Sequence, residues 1–308
     1  MTYPLAYPIA PTNGLGYCLQ NTAMGGNSGN DSSAFAWYTT KASRRAGRAA
    51  VVRHRRQLSE RDMCVIGNID RYRYLSARQI EELHFFDHAS SLTGARACRR
   101  VLERLTTTDV LRRLDRRIGG TWAGSVSYIY ALAPLGYRLL HSDRQRRVRR
   151  REPSEGFLDH TLAIADLAVG LHRAARSDEN LDLLEVDPEP QCWRRFSAGM
   201  RGTEVLKPDL AVALRAAEYD YRWFVEVDLG THSAAAVVRK CRLYERYWST
   251  GIEQDRSGLF PRVLFVAPNA RRAGLLGRAI GGARHLSTKL FAVTTTADAM
   301  ECLTGAAS

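Results

Sequence analysis

Trp223-Phe224-Val225-Glu226-Val227-Asp228 is an apolar run that nonetheless carries two carboxylates. A second apolar run, Val263-Leu264-Phe265-Val266-Ala267, follows further along the chain. Continuous runs of β-branched and aromatic residues belong to central strands covered on both faces. Strands of that kind need helices on either side, and helical periodicity appears at about 157–176, 232–248 and 271–281. Leu158, Ala165, Leu167 and Leu171 form the apolar stripe of the first. Further strands are predicted at 181–187, 205–215 and 289–294. Residues 157–308 therefore read as an α/β domain, a mixed sheet flanked by helices.

The acids on that sheet have a chemically informative arrangement. Asp209 follows Lys207-Pro208 at the start of a strand, where proline removes an amide the ladder can spare. A hairpin would bring Asp209 beside Glu226, and Glu226 and Asp228, two apart, share one face. Carboxylate oxygens converging at a strand end suit Mg²⁺ or Mn²⁺, held through one or two acids plus water and phosphate oxygens. Asp209, Glu226 and Asp228 are thus the candidate ligands, and Lys240 on the next helix brings an amine to them. Of 45 Lys+Arg residues only Lys41, Lys207, Lys240 and Lys289 are lysine, so two of four fall at the candidate site. A compact ammonium can meet a phosphate oxygen where a planar guanidinium is too wide. The plainer alternative is that the acids are solvated and Lys240 pairs with Glu245 or a neighbour.

Net charge is +13, which favours polyanions and strongly salt-dependent binding to nucleic acid. The basic residues are concentrated upstream. Residues 1–57 are rich in Gly, Ser, Asn and Thr and end in Arg44, Arg45, Arg48, Arg53, Arg55 and Arg56, the composition of a disordered basic arm. Residues 58–140 have the rhythm of a winged helix-turn-helix. Ser59 with Asp62, and Ser76 with Gln79, form capping boxes for two helices, and a third begins near Thr93. That third helix presents Arg96, Arg99, Arg100 and Arg104 on one side, opposite Val101, Leu102 and Leu105. Strands at 110–118 and 127–132 follow, joined by Gly119-Gly120 as the wing. Arg112, Arg113, Arg116 and Arg117 lie on the first strand. An arginine-faced helix suits a major groove and a basic hairpin suits the adjoining phosphates, with Lys207 a further contact. On an arginine-rich chain a merely solvated face remains the alternative. A polar basic linker, residues 141–156, separates the two domains.

The six cysteines are scattered, with no C-x-x-C, which argues against a zinc site or a disulfide framework and fits a reducing cytoplasm. No apolar run approaches the roughly 20 residues of a membrane helix, so a cytosolic location is expected.

Pro208-Asp209 followed by Glu226-x-Asp228 resembles the PD-(D/E)xK restriction-endonuclease-like nucleases over about 157–296, with Asp209 and Glu226 matching the two acids. The lysine position of that motif is Asp228 here; in some members the lysine migrates to the next helix, a place Lys240 fills. A winged helix, Lys207-Pro208-Asp209, the run 224–231 and Arg239-Lys240 followed by Tyr244 and Tyr247 together resemble the replication-relaxation proteins of actinobacterial plasmids and integrative elements over most of 58–270. That resemblance implies a site-specific nick in double-stranded DNA at an origin, with other replication or transfer proteins as partners.

Tyr244 and Tyr247 are candidate nucleophiles for a covalent, relaxase-like route, although aromatic residues at this spacing more often pack a core. His160, Asp166 and His172 on the helix at 157–176 read best as structural residues. Thr231, before His232, is a candidate cap for the next helix, and Glu185 or Asp187 a candidate further acid. The rival functional class is a sequence-specific DNA-binding initiator or regulator on a degenerate nuclease scaffold.

Overall fold

A computed structural model of the chain describes residues 51–114, 128–141, 153–199 and 202–305. The arm up to residue 50, the wing with Gly119-Gly120, Arg116 and Arg117, and most of the linker lie outside the described residues. Residues 51–57, expected within the disordered arm, are helical.

The first part packs α1 (Glu60–Tyr72), α2 (Ala77–His84) and α3 (Ser91–Thr107) with strands β1 (Leu75–Ser76), β2 (Leu111–Leu114) and β3 (Ile129–Leu132). The strands form an antiparallel sheet in the order β1-β3-β2. Ser59 and Ser76 each complete the capping box expected of them. α3 begins two residues earlier than its periodicity suggested, because Ser90, not a residue beside Thr93, accepts the Thr93 amide. A short helix, α4 (Pro134–Leu140), then places proline at its first position, where no amide is needed.

The second part is built on a five-stranded sheet of β4 (Leu181–Pro188), β7 (Leu210–Ala216), β8 (Tyr219–Val227), β9 (Arg262–Ala267) and β10 (Phe291–Thr295), in the order β10-β9-β8-β7-β4. β8, β9 and β10 run parallel, while β7 is antiparallel to both β8 and β4. This is the expected mixed sheet. The predicted strand at 205–215 is split at Lys207-Pro208-Asp209. Its first piece, β6 (Thr203–Leu206), leaves the sheet to pair with β5 (Arg194–Ser197) in a separate hairpin. Pro208 has no amide to donate, so the ladder breaks there.

Helices cover both faces. α5 (Glu155–Ser177) and α9 (Ala299–Thr304) lie on one, where Trp223, Val225 and Val227 join a core that continues into the first part of the chain. α6 (Ala234–Trp248) and α8 (Ala270–Gly281) lie on the other, with Phe224, Val263 and Phe265. A short helix, α7 (Ile252–Ser257), connects α6 to β9. Alternation along β8 assigns these faces, and the burial on both sides explains why the run 223–227 is almost wholly apolar. No described helix is long and apolar enough to cross a membrane.

Candidate active site

Where β8 ends and β7 begins, the antiparallel register pairs Leu210 with Val225, and one further step sets Asp209 opposite Glu226. Both acids are buried, at 8% and 4% exposure. The Val227 amide donates to Asp209 Oδ2 at 2.7 Å, and the Asp209 amide donates to the Val225 carbonyl at 3.1 Å. The two acids therefore sit at the carboxyl end of the parallel strands, the end at which ligands gather in open α/β sheets.

α6 supplies the rest of one wall. Lys240 contacts Glu226 Oε2 directly, and the Tyr244 hydroxyl donates to Glu226 Oε1 at 2.5 Å. From α5, on the other face, His160 Nε2 lies 3.2 Å from Asp209 Oδ2 and 3.1 Å from the Val227 carbonyl. The structure thus brings Asp209, Glu226 and Lys240 together and adds His160.

Burial pushes the Glu226 carboxyl up to about 7, with Asp209 adding to the rise and Lys240 opposing it. Burial also acts on Asp209, but the His160 hydrogen bond, Lys240 and the Val227 amide hold its carboxyl below the usual range. Lys240 and His160 are both shifted upward, because their acid neighbours outweigh desolvation. Near neutrality the site holds an ionised Asp209, a protonated Lys240 and a Glu226 poised to gain or lose its proton.

Other expected residues fall elsewhere. Asp228 points to the same side as Glu226, as period-two alternation requires, but α8 captures it. Arg272 Nε and Nη2 donate to its two oxygens at 2.5 and 3.0 Å, so both Asp228 oxygens are engaged by α8. Tyr244 and Tyr247 are fully buried in the α6-side core. Tyr247 donates to Glu253 at 2.9 Å, and burial together with Glu226 drives the Tyr244 phenol well above 10. Both phenols are therefore packed in the core and engaged with acids, and burial opposes ionisation of Tyr244. Thr231 does not cap α6; Ser233 does, accepting from the Ala236 amide at 3.2 Å. Asp166, exposed on α5, accepts from Gln79 at 2.7 Å, and burial lowers half-buried His172 to about 4. Asp187 pairs with Arg71 at 2.5 Å, and Glu185 is half-buried on β4.

Arg96, Arg99 and Arg100 are exposed on α3. Arg104 is not free in the same way, because its guanidinium donates to buried Asp62 at 2.6 Å. Arg112 lies on β2, and Arg113 stacks on Tyr128 at 4.3 Å. Lys207 is exposed, with its ammonium 4.5 Å from the Trp193 ring. Sequence reasoning missed Arg272 as the partner of Asp228 and undervalued His160. For His160 the spacing along α5 was available; for Arg272 no sequence signal separated it from Arg271.

The fold and site define a mixed α/β protein with two buried acids and a lysine at one strand end. The replication-relaxation family matches residues 66–263, more than half of the chain, and the chain belongs to that family. Membership points to a part in plasmid replication or transfer. No curated protein and no solved structure matches the chain.

Proposed function

We propose that the protein is a metal-dependent, site-specific DNA-nicking endonuclease of a plasmid or integrative element, acting in double-stranded DNA at an origin. The observation that carries this reading is Asp209 opposite Glu226 with Lys240 on the second acid. Burying two acids side by side is costly unless cations compensate them. The donors available are carboxylate oxygens, with the Val227 carbonyl beside them, a set suited to Mg²⁺ or Mn²⁺ rather than to zinc. No group of three or more His, Cys, Asp or Glu side chains suited to a metal occurs among the described residues. An ion here would be held by only the two acids Asp209 and Glu226, with water and substrate phosphate completing its shell. Such an ion, when bound, neutralises charge developing on the phosphate and acidifies a water.

The chain's own groups have separable roles in this reading. Val227 and His160 fix the Asp209 carboxylate in place and keep it ionised. Lys240 holds Glu226 and carries the positive charge that would meet a phosphate oxygen. Tyr244 orients Glu226 from the core side. Upstream, three helices and a small antiparallel sheet support a winged-helix reading, in which α3 with Arg96, Arg99 and Arg100 enters the major groove. Arg112, Arg113 and Lys207 then serve phosphates.

A supercoiled origin plasmid with Mg²⁺ or Mn²⁺ tests the nuclease reading. Wild type should yield open circles and Asp209→Asn should not; equal behaviour removes it.

One observation favours a second reading, a non-catalytic DNA-binding initiator on the same scaffold. His160 Nε2 bridges Asp209 and the Val227 carbonyl, and Lys240 covers Glu226, so protein cations already compensate the acids. Origin footprints without cleavage, and without Mn²⁺ binding, would select this reading.

A further inference from the structure

In the second part of the chain, several arginines have an acid partner: Arg194 with Glu253, Arg215 with Asp220, Arg246 with Glu204 and Arg272 with Asp228. Arg239, Arg242 and Arg284 are different. All three are exposed, and none has an ion pair among the described residues. They converge on a cleft of about 610 Å³ between α6 and the connection from α8 to β10, walled also by Arg246, His285 and Leu286.

The cleft is turned away from the acid pair. Arg239 and Arg242 flank Lys240 in sequence, but Lys240 faces Glu226 on the opposite side of α6. Glu245, the acid on the cleft wall, is occupied: it accepts the Ser287 amide at 2.5 Å. That bond ties the connection against α6. His285, at φ 67°, holds a left-handed conformation uncommon for a residue with a side chain. The guanidinium groups are thus gathered by a helix and a connection hydrogen-bonded to it, with the Glu245 carboxylate, one oxygen of which takes the Ser287 amide, on the same wall.

Guanidinium groups without partners, clustered in a cleft, match phosphate oxygens. The cleft walls named by the described residues include no Phe, Tyr or Trp, so stacking of unpaired bases is not served. We propose that this cleft binds the phosphate backbone of duplex DNA, as a second anchoring site apart from both α3 and the acid pair. The inference rests on the DNA-binding part of the proposed function and is independent of nicking.

The test compares wild type with Arg239→Ala/Arg242→Ala/Arg284→Ala in binding a duplex of unrelated sequence and its single strand, by fluorescence anisotropy over a range of salt. Each phosphate contact contributes about 0.9 to the slope of log affinity on log salt, so losing three should flatten the duplex slope by about 2–3. The corresponding Arg→Lys triple should keep most of the slope, and circular dichroism of each variant should match wild type. An unchanged duplex slope overturns the proposal, as does a loss confined to the single strand. Wild type that binds no duplex overturns it together with the DNA reading. Wild type that binds but never nicks removes only the nuclease reading, and the slope comparison still decides the cleft.

Discussion

The ammonium of Lys240 and the carboxylate of Glu226 are in direct contact across fourteen positions of chain, while Tyr244 occupies the other carboxylate oxygen. Glu226 is 4% exposed, so its charge depends on these partners rather than on water. Removing one member of such a pair costs more than removing both, since the survivor is left buried and uncompensated. Lys240→Met should destabilise the fold by about 2–3 kcal/mol, below the range for a wholly buried pair because the lysine side chain keeps 34% exposure. Glu226→Gln/Lys240→Met should recover more than half of that loss. Urea unfolding of the cycle measures it; additive losses would mean that the contact does not govern stability.

The Glu226 proton sets the expected pH response. Nicking through a cation held by Asp209 and Glu226 needs both acids ionised, and burial pushes Glu226 up to about 7. At limiting Mg²⁺ the rate should rise with pH through about 7, and the midpoint should move lower as Mg²⁺ saturates, because cation and proton compete. Stability runs the other way. A carboxyl raised from 4.5 to about 7 favours folding fully below the lower value and loses that contribution as pH rises through the upper one. Glu226→Gln should remove this decline. A wild-type nicking rate that is flat across neutrality, whatever the Mg²⁺, would contradict the role given to Glu226.

The central strands were legible because burial on both faces leaves an unbroken apolar run, as at Val263–Ala267 and Trp223–Val227. The pairing of Asp209 with Glu226 was legible for the same reason, since an acid inside such a run needs a local cause. The break at Pro208 was present as a signal but was read as a strand start within one longer strand, so β5 and β6 were not seen as a separate hairpin. The Arg272 partner of Asp228 was not legible, because alternation fixes only the face. Which helix meets an acid on that face depends on packing, and α8 arrives 44 positions later. Tyr244 and Tyr247 carry the spacing of core residues, and in the fold they fill a core.

Arg272 engages both oxygens of Asp228. It also donates to the His232 carbonyl at 2.5 Å, tying α8 to the segment after β8. Asp228→Ala and Arg272→Ala should each cost about 3 kcal/mol, the low end for breaking a buried pair, and the double variant should cost no more than either. Asp228→Asn, which retains a hydrogen-bond acceptor for Arg272, should leave metal-dependent nicking within a few-fold of wild type where Asp209→Asn abolishes it. Loss of nicking in a fully folded Asp228→Asn protein would return that residue to the metal site.

Arg99, Arg100 and Arg104 share a face of α3 but should behave differently, because only Arg104 is anchored to a buried acid. Asp62 is 1% exposed, and it accepts from Arg104 at 2.6 Å and from the Ser59 amide at 2.8 Å. These bonds hold its carboxyl below the usual range despite burial. Arg104→Ala leaves Asp62 short of its cation and should lower thermal stability. Arg99→Ala or Arg100→Ala should leave stability unchanged and weaken binding to the origin site by about 1–3 kcal/mol if the guanidinium reads a base edge. Calorimetric melting and anisotropy on cognate and scrambled duplexes separate the cases. Equal weakening on both duplexes places Arg99 and Arg100 on phosphates, and no weakening on either takes α3 off the DNA.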